Sequence, residues 1–147
     1  MACELCESPG GELLWCDPTL RVVRVGDPDY PGFCRVIWQT HIKEMTDLSA
    51  AERTRFMQIV FAVERVLRDL LQPDKINLAS LGNATPHLHW HVIPRFTTDR
   101  HFPDPVWASP RRSPRASPLD TATVAAAMRA HLADIAAQSA VPRGTPY

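Results

Sequence analysis

Along the 147-residue chain the apolar positions change period several times, and each change predicts an element. Leu13 to Cys16 and Leu20 to Val25, the second rich in valine, read as short strands separated by Asp17-Pro18, which suits a hairpin. Turn formers fill Gly26 to Gly32, and the β-branched and aromatic run Phe33 to Trp38 predicts a third strand. Ser49 and Glu52 fit a capping box, after which Phe56, Ile59, Val60, Val63, Leu67 and Leu70 recur at helical spacing. Pro73 ends that helix, Lys75 to Leu81 returns to strand, and Gly82 to Pro86 turns. A last strand follows until Pro94 breaks the pattern. Residues 1–107 thus form one α+β unit, an antiparallel sheet of about five strands with one long helix.

The remainder changes character. Residues 108–118 mix proline, serine and arginine and suit an extended linker. In the extension 119–147 an added C-terminal helix is expected, capped by Ser117 with Pro118 in its first turn and running to about Gln138. The tail from Ser139 is expected to fray.

Composition narrows the function classes. The 45% hydrophobic content suits one globular domain, and sixteen basic residues balance sixteen acidic ones. No global field recruits nucleic acid or an anionic membrane, so a phosphate-bearing ligand must be held by local groups. The start, MACELCESPGG, lacks a basic segment followed by an apolar core, and the chain has no run of about 18 apolar residues. A cytoplasmic protein is expected, with Cys3, Cys6, Cys16 and Cys34 reduced and the C-x-x-C pair either a metal clip or incidental.

The segment HLHWHVIPR, residues 87–95, holds three of the six histidines. On a strand His87, His89 and His91 share one face about 7 Å apart, while Leu88, Trp90 and Val92 point into the core. Three imidazoles are costly as packing material, because each has a donor and an acceptor to satisfy. Two polar tasks fit. The rings can ligate a metal, although no carboxylate adjoins the motif, or one ring can attack phosphorus while a neighbour assists the leaving group.

H-L-H-W-H-V-I resembles the motif of the histidine triad (HIT) family of nucleotide hydrolases and transferases. The resemblance extends to Pro31-Gly32-Phe33-Cys34-Arg35-Val36-Ile37 and His41, and covers roughly Cys3 to Trp107. It implies a HIT-like fold in which His89 is the nucleophile that takes up a nucleoside monophosphate and His91 contacts the scissile phosphate and assists the leaving group. Histidine at the third position is similar to the hydrolase branches. The resemblance further implies phosphate or ribose contacts from Asn83 and Asp27, small nucleotide substrates of the dinucleoside polyphosphate or adenosine phosphoramidate type, and a homodimer. It implies no organic cofactor. Some members bind a structural zinc ion, and the corresponding residues here are Cys3, Cys6, His41 and His87, a closed tetrahedral set of two thiolates and two imidazoles.

The chain departs from the family pattern where Phe33 replaces histidine, where Trp38 replaces proline, and in the short loop Gly82 to Pro86. Those departures bear on the leaving group and keep a non-catalytic nucleotide-binding or adaptor protein in view, beside a metal-dependent hydrolase that uses the triad as ligands. Arg95 reads as solvated at a strand end, with phosphate screening as its other role. Trp107 reads as core or interface, and Arg111, Arg112 and Arg115 as a solvated basic cluster. His131 gives no sign of function.

Overall fold

A computed structural model describes residues 2–114, 117 and 120–139. Its elements are α1 (Glu4–Glu7), β1 (Glu12–Cys16), β2 (Leu20–Arg24), β3 (Cys34–Trp38), α2 (Ala50–Leu71), β4 (Lys75–Ala79), β5 (His89–Arg95) and α3 (Thr121–Ser139), with a 3-10 turn at Met45–Asp47. The strands form one antiparallel sheet in the order β1-β2-β3-β5-β4. β5 enters between β3 and β4, so the histidine strand is internal and hydrogen-bonded on both sides.

α2 starts where its capping box predicts. Ser49 Oγ accepts from the Glu52 N–H, and the Glu52 carboxylate accepts from the Ser49 N–H. It ends at Gln72, in the left-handed region at φ 47°, one residue before Pro73. Its buried stripe of Phe56, Ile59, Val60, Val63 and Leu67 packs on the sheet face that carries Val22, Cys34, Val36 and Val92. α3 completes the same core through Val124, Ala125, Met128 and Leu132.

Several boundaries differ from expectation. β5 runs through Pro94, which pairs with Ile76 of β4. β3 pairs with β5 only as far as Val92, so the strand at Pro94 borders β4 alone and tolerates the missing N–H. At its other end β5 begins at His89, because the Leu88 N–H turns to the Ile42 carbonyl at 2.8 Å and the Leu88 carbonyl accepts from Trp38 N–H at 3.1 Å. β4 stops at Ala79. α3 is capped by Asp120 in place of Ser117: Asp120 Oδ1 accepts from the Ala122 N–H at 3.1 Å and its Oδ2 from the Thr123 hydroxyl at 2.6 Å. Ser139 is the last helical residue, while Pro118 and the tail from residue 140 lie outside the described residues.

Arg95 is buried at 1% exposure and is not solvated. Its guanidinium donates to both Asp99 carboxylate oxygens at 2.7 and 3.1 Å, to Asn77 Oδ1 at 2.7 Å and to the Asp104 carbonyl at 2.7 Å. With that charge neutralised inside the loop, the phosphate-screening role has no support. Arg111 and Arg112 are exposed, as expected of a solvated cluster, and each also has a partner: Arg111 pairs with Asp104 and Arg112 donates to the carbonyls of Asp99 and Phe102. Arg115 lies outside the described residues.

Candidate active site

Sheet alternation decides which side chains share a face with the triad. In the β3–β5 ladder Ile37 pairs with His89 and Arg35 with His91. Phe33, Arg35 and Ile37 therefore lie on the histidine side, and Leu88, Trp90 and Val92 on the side of α2, as the alternation predicts.

The rings are held rather than displayed: His87, His89 and His91 are 1%, 7% and 5% exposed. His89 Nδ1 lies 2.6 Å from the His87 carbonyl. A carbonyl only accepts, so Nδ1 carries the proton and Nε2 presents a bare lone pair. Burial lowers the His89 pKa, the His87 carbonyl opposes that, and the charge of Arg35 adds to the lowering. His91 packs edge-on to His89, with ring centroids 4.8 Å apart, and burial, His89 and Arg35 together push its pKa down to about 3. Both rings are neutral at pH 7.

His91 Nδ1 is buried without a hydrogen-bond partner among the described residues. Phe33 and Trp107 wall the ring at 5.5 and 5.0 Å. Trp107 is half-exposed, so it forms the rim of the site and is not core. A cleft of about 560 Å³ opens beside His87 and His89, bordered by Lys43, Met45, Ser80, Leu81 and Gly82. Ser80 Oγ donates to the His89 carbonyl at 2.9 Å and fixes the strand at that residue.

Asn83 is exposed, one residue beyond the loop segment that lines the cleft. Asp27 is engaged in its own turn: Oδ1 accepts from the Asp29 N–H at 2.9 Å and its carbonyl from the Tyr30 N–H at 3.2 Å.

A second cluster sits at the N-terminal edge. The ligand atoms of Cys3, Cys6, His41 and His87 all lie within 4.8 Å of one another. Cys3 Sγ is 3.4 Å from His87 Nδ1, and Cys6 Sγ is 3.5 Å from both His87 Nδ1 and His41 Nδ1. Zinc bonds of about 2.3 Å to sulfur and 2.0–2.1 Å to nitrogen set tetrahedral ligand atoms about 3.3–3.8 Å apart, so the donor set fits zinc. His87 Nε2 meanwhile donates to the Trp38 carbonyl at 2.6 Å, the outer-shell bond that orients a ligating imidazole. Arg21 fastens the N-terminal segment by donating to the carbonyls of Leu5, Ser8 and Pro9. No helix among the described residues is long and apolar enough to cross a membrane.

The sequence reading missed Arg21, Arg35, Ser80 and the buried trio Tyr30, Asp99 and His101, in which the Tyr30 hydroxyl lies 2.6 Å from His101 Nδ1. Only strand register could have put Arg35 beside the triad, and register is not written in a local pattern.

An antiparallel α+β sheet whose internal strand carries His89 and His91, with His87 at its entry, defines a histidine triad protein. The HIT domain family matches residues 11–98, and the chain belongs to that family. Among solved structures it is similar to a histidine triad protein from Bradyrhizobium japonicum, with 27% identity, a TM-score of 0.74, and coverage of 90% of this chain and 97% of the other. A zinc-bound histidine triad family protein from Mycobacterium smegmatis shares the fold, with a TM-score of 0.66, 23% identity, and coverage of 94% and 98%. The AP-4-A phosphorylase of Mycobacterium tuberculosis (strain ATCC 25618 / H37Rv) is 28% identical over 81 residues, 51% of this chain and 42% of that protein. The asymmetrical bis(5'-nucleosyl)-tetraphosphatase of Schizosaccharomyces pombe is 29% identical over 86 residues, 55% of this chain and 47% of that protein. The matched region thus spans less than half the length of these curated relatives.

Proposed function

We propose that this protein hydrolyses a phosphoanhydride or phosphoramidate bond to a nucleoside monophosphate through a covalent nucleotidyl-His89 intermediate. The observation that carries the reading is the 2.6 Å bond from His89 Nδ1–H to the His87 carbonyl, which leaves Nε2 unprotonated on a residue that borders a cleft. In the first step Nε2 bonds to the α-phosphorus and the bond from phosphorus to the leaving group breaks. His91 contacts the phosphoryl oxygens and passes a proton to the departing atom, its protonated form being favoured once phosphate charge lies beside it. Water then attacks the nucleotidyl-imidazole, releasing the monophosphate and restoring His89. The low dielectric of the walls strengthens each of these contacts.

Asn83 and Asp27 are proposed as contacts to phosphate or ribose. Cys3, Cys6, His41 and His87 would hold a zinc ion that supplies structural cross-linking between the N-terminus and the triad strand. Residues 1–107 are proposed as the HIT domain, 108–118 as a linker and 119–147 as an extension. Exposed Phe61, Leu81 and Trp107, together with the edge strand β4, suit a homodimer in the cytoplasm.

A metal-dependent mechanism is less well supported, because among the described residues only His87 of the triad belongs to a converging ligand set. Intact mass spectrometry after incubation with diadenosine tetraphosphate and with adenosine phosphoramidate tests the reading. An AMP adduct on the wild type and none on His89→Ala is expected. Absence of adduct and of turnover across both substrates would leave the non-catalytic nucleotide-binding reading.

A further inference from the structure

Three arginines lie against the histidine side or its edges, and two of them are fully matched. Arg95 is clamped by Asp99, and Arg21 by Leu5, Ser8, Pro9 and Gln39. Arg35 is different. Its Nε is buried with no hydrogen-bond partner among the described residues, and Nη1 donates to the Gly10 carbonyl at 3.2 Å. The charge of Glu4 is felt at Arg35, yet among the described residues no carboxylate stands within 4.0 Å of it.

The placement of this cation is built. Gly10 has φ +81°, and a Cβ there would lie 2.6 Å from Leu5 Cδ2 and 3.1 Å from Ile37 Cδ1. Only glycine lets the N-terminal segment close onto β3 and bring its carbonyl to the Arg35 guanidinium. A half-buried guanidinium with an unpartnered Nε and, among the described residues, no carboxylate in ion-pair contact is a site for an anion, and its planar fork suits phosphate oxygens. Arg35 pairs with His91 in the ladder, and its charge acts on both the His89 and the His91 rings.

We propose that Arg35 is a specificity-determining residue that binds a negatively charged oxygen of the leaving phosphate, so that the site takes nucleotide anhydrides in preference to phosphoramidates with a neutral amine leaving group. This rests on the assignment of His91 to the leaving-group side in the function proposed above.

Calorimetric titration with AMP and ADP tests it without requiring turnover, because ADP carries the additional phosphate that AMP lacks. The wild type is expected to bind ADP at least about tenfold tighter than AMP, the range for a charge-assisted hydrogen bond. In Arg35→Gln that preference should shrink to within about threefold with AMP affinity little changed, and Arg35→Lys should fall between. An ADP preference that is absent in the wild type, or that survives Arg35→Gln, overturns the proposal, as does an equal loss of AMP and ADP. If ADP preference depends on Arg35 but His89 takes up no adduct, the hydrolase reading fails and the anion site stands.

Discussion

His87 Nε2 donates to the Trp38 carbonyl at 2.6 Å while its Nδ1 faces Cys3 and Cys6 at 3.4 and 3.5 Å. One ring therefore joins the N-terminal segment, β3 and the entry to β5. Zinc bound there should raise the melting temperature, and a strong chelator should lower it. The paired Cys3→Ser, Cys6→Ser variant should bind no zinc by elemental analysis and melt at the chelated temperature. Equal melting with and without chelator in zinc-loaded wild type would contradict a structural metal.

Arg95→Met probes the clamp behind the triad strand. Arg95 and Asp99 are both nearly inaccessible, with side-chain exposures of 2% and 5%. Removing the cation strands the Asp99 carboxylate and should cost about 3–5 kcal/mol, read from urea unfolding. Replacing Arg95 and Asp99 together with apolar residues should cost less than Arg95→Met alone.

Acid should destabilise the fold through His91. Its folded pKa is pushed down to about 3 from an ordinary value of 6.5, so between those limits the unfolded chain binds a proton that the folded chain excludes. Stability is full above pH 6.5 and falls as pH drops through that window, by up to about 1.4 kcal/mol per pH unit for one proton. Asp99 adds a loss at lower pH. Burial opposes its ionisation, but the hydrogen bonds from Arg95 and from backbone N–H groups more than offset this and hold its pKa at about 2, so its contribution is lost as pH falls from 3.8 toward 2. His91→Phe should show a shallower decline than wild type in urea midpoints measured from pH 7 to 5.

α3 closes the core through Met128, whose sulfur lies 3.8 Å from the buried Cys34 thiol. Met128→Ala should cost about 2–5 kcal/mol by the cavity it leaves in a fully buried position. Ala126→Ser, on the exposed side of the same helix, should change stability by less than about 0.5 kcal/mol in the same chemical denaturation assay.

The elements legible in the sequence were those with local signatures. The Ser49–Glu52 box and the apolar stripe from Phe56 to Leu67 fixed α2, and alternation around Trp90 assigned the two faces of β5. Elements that depend on partners were misread. Pro94 stays in a strand because only β4 neighbours it there, and Arg95 is buried because Asp99 and Asp104 fold back around it. The site divides the same way. The three histidines announce themselves by spacing, whereas Arg35 reaches them across a register and Ser80 through a loop.

The insertion of β5 between β3 and β4 also orders events in time. Its partner Ile37 precedes His89 by a stretch that contains all of α2, so the ladder can close only after that helix has carried the chain back. A ribosome must therefore deliver α2 before the triad strand can take its place in the sheet. Until then the growing polypeptide exposes the apolar seat for β5, and Cys3 and Cys6, which precede that strand, lack the His87 side of their cluster.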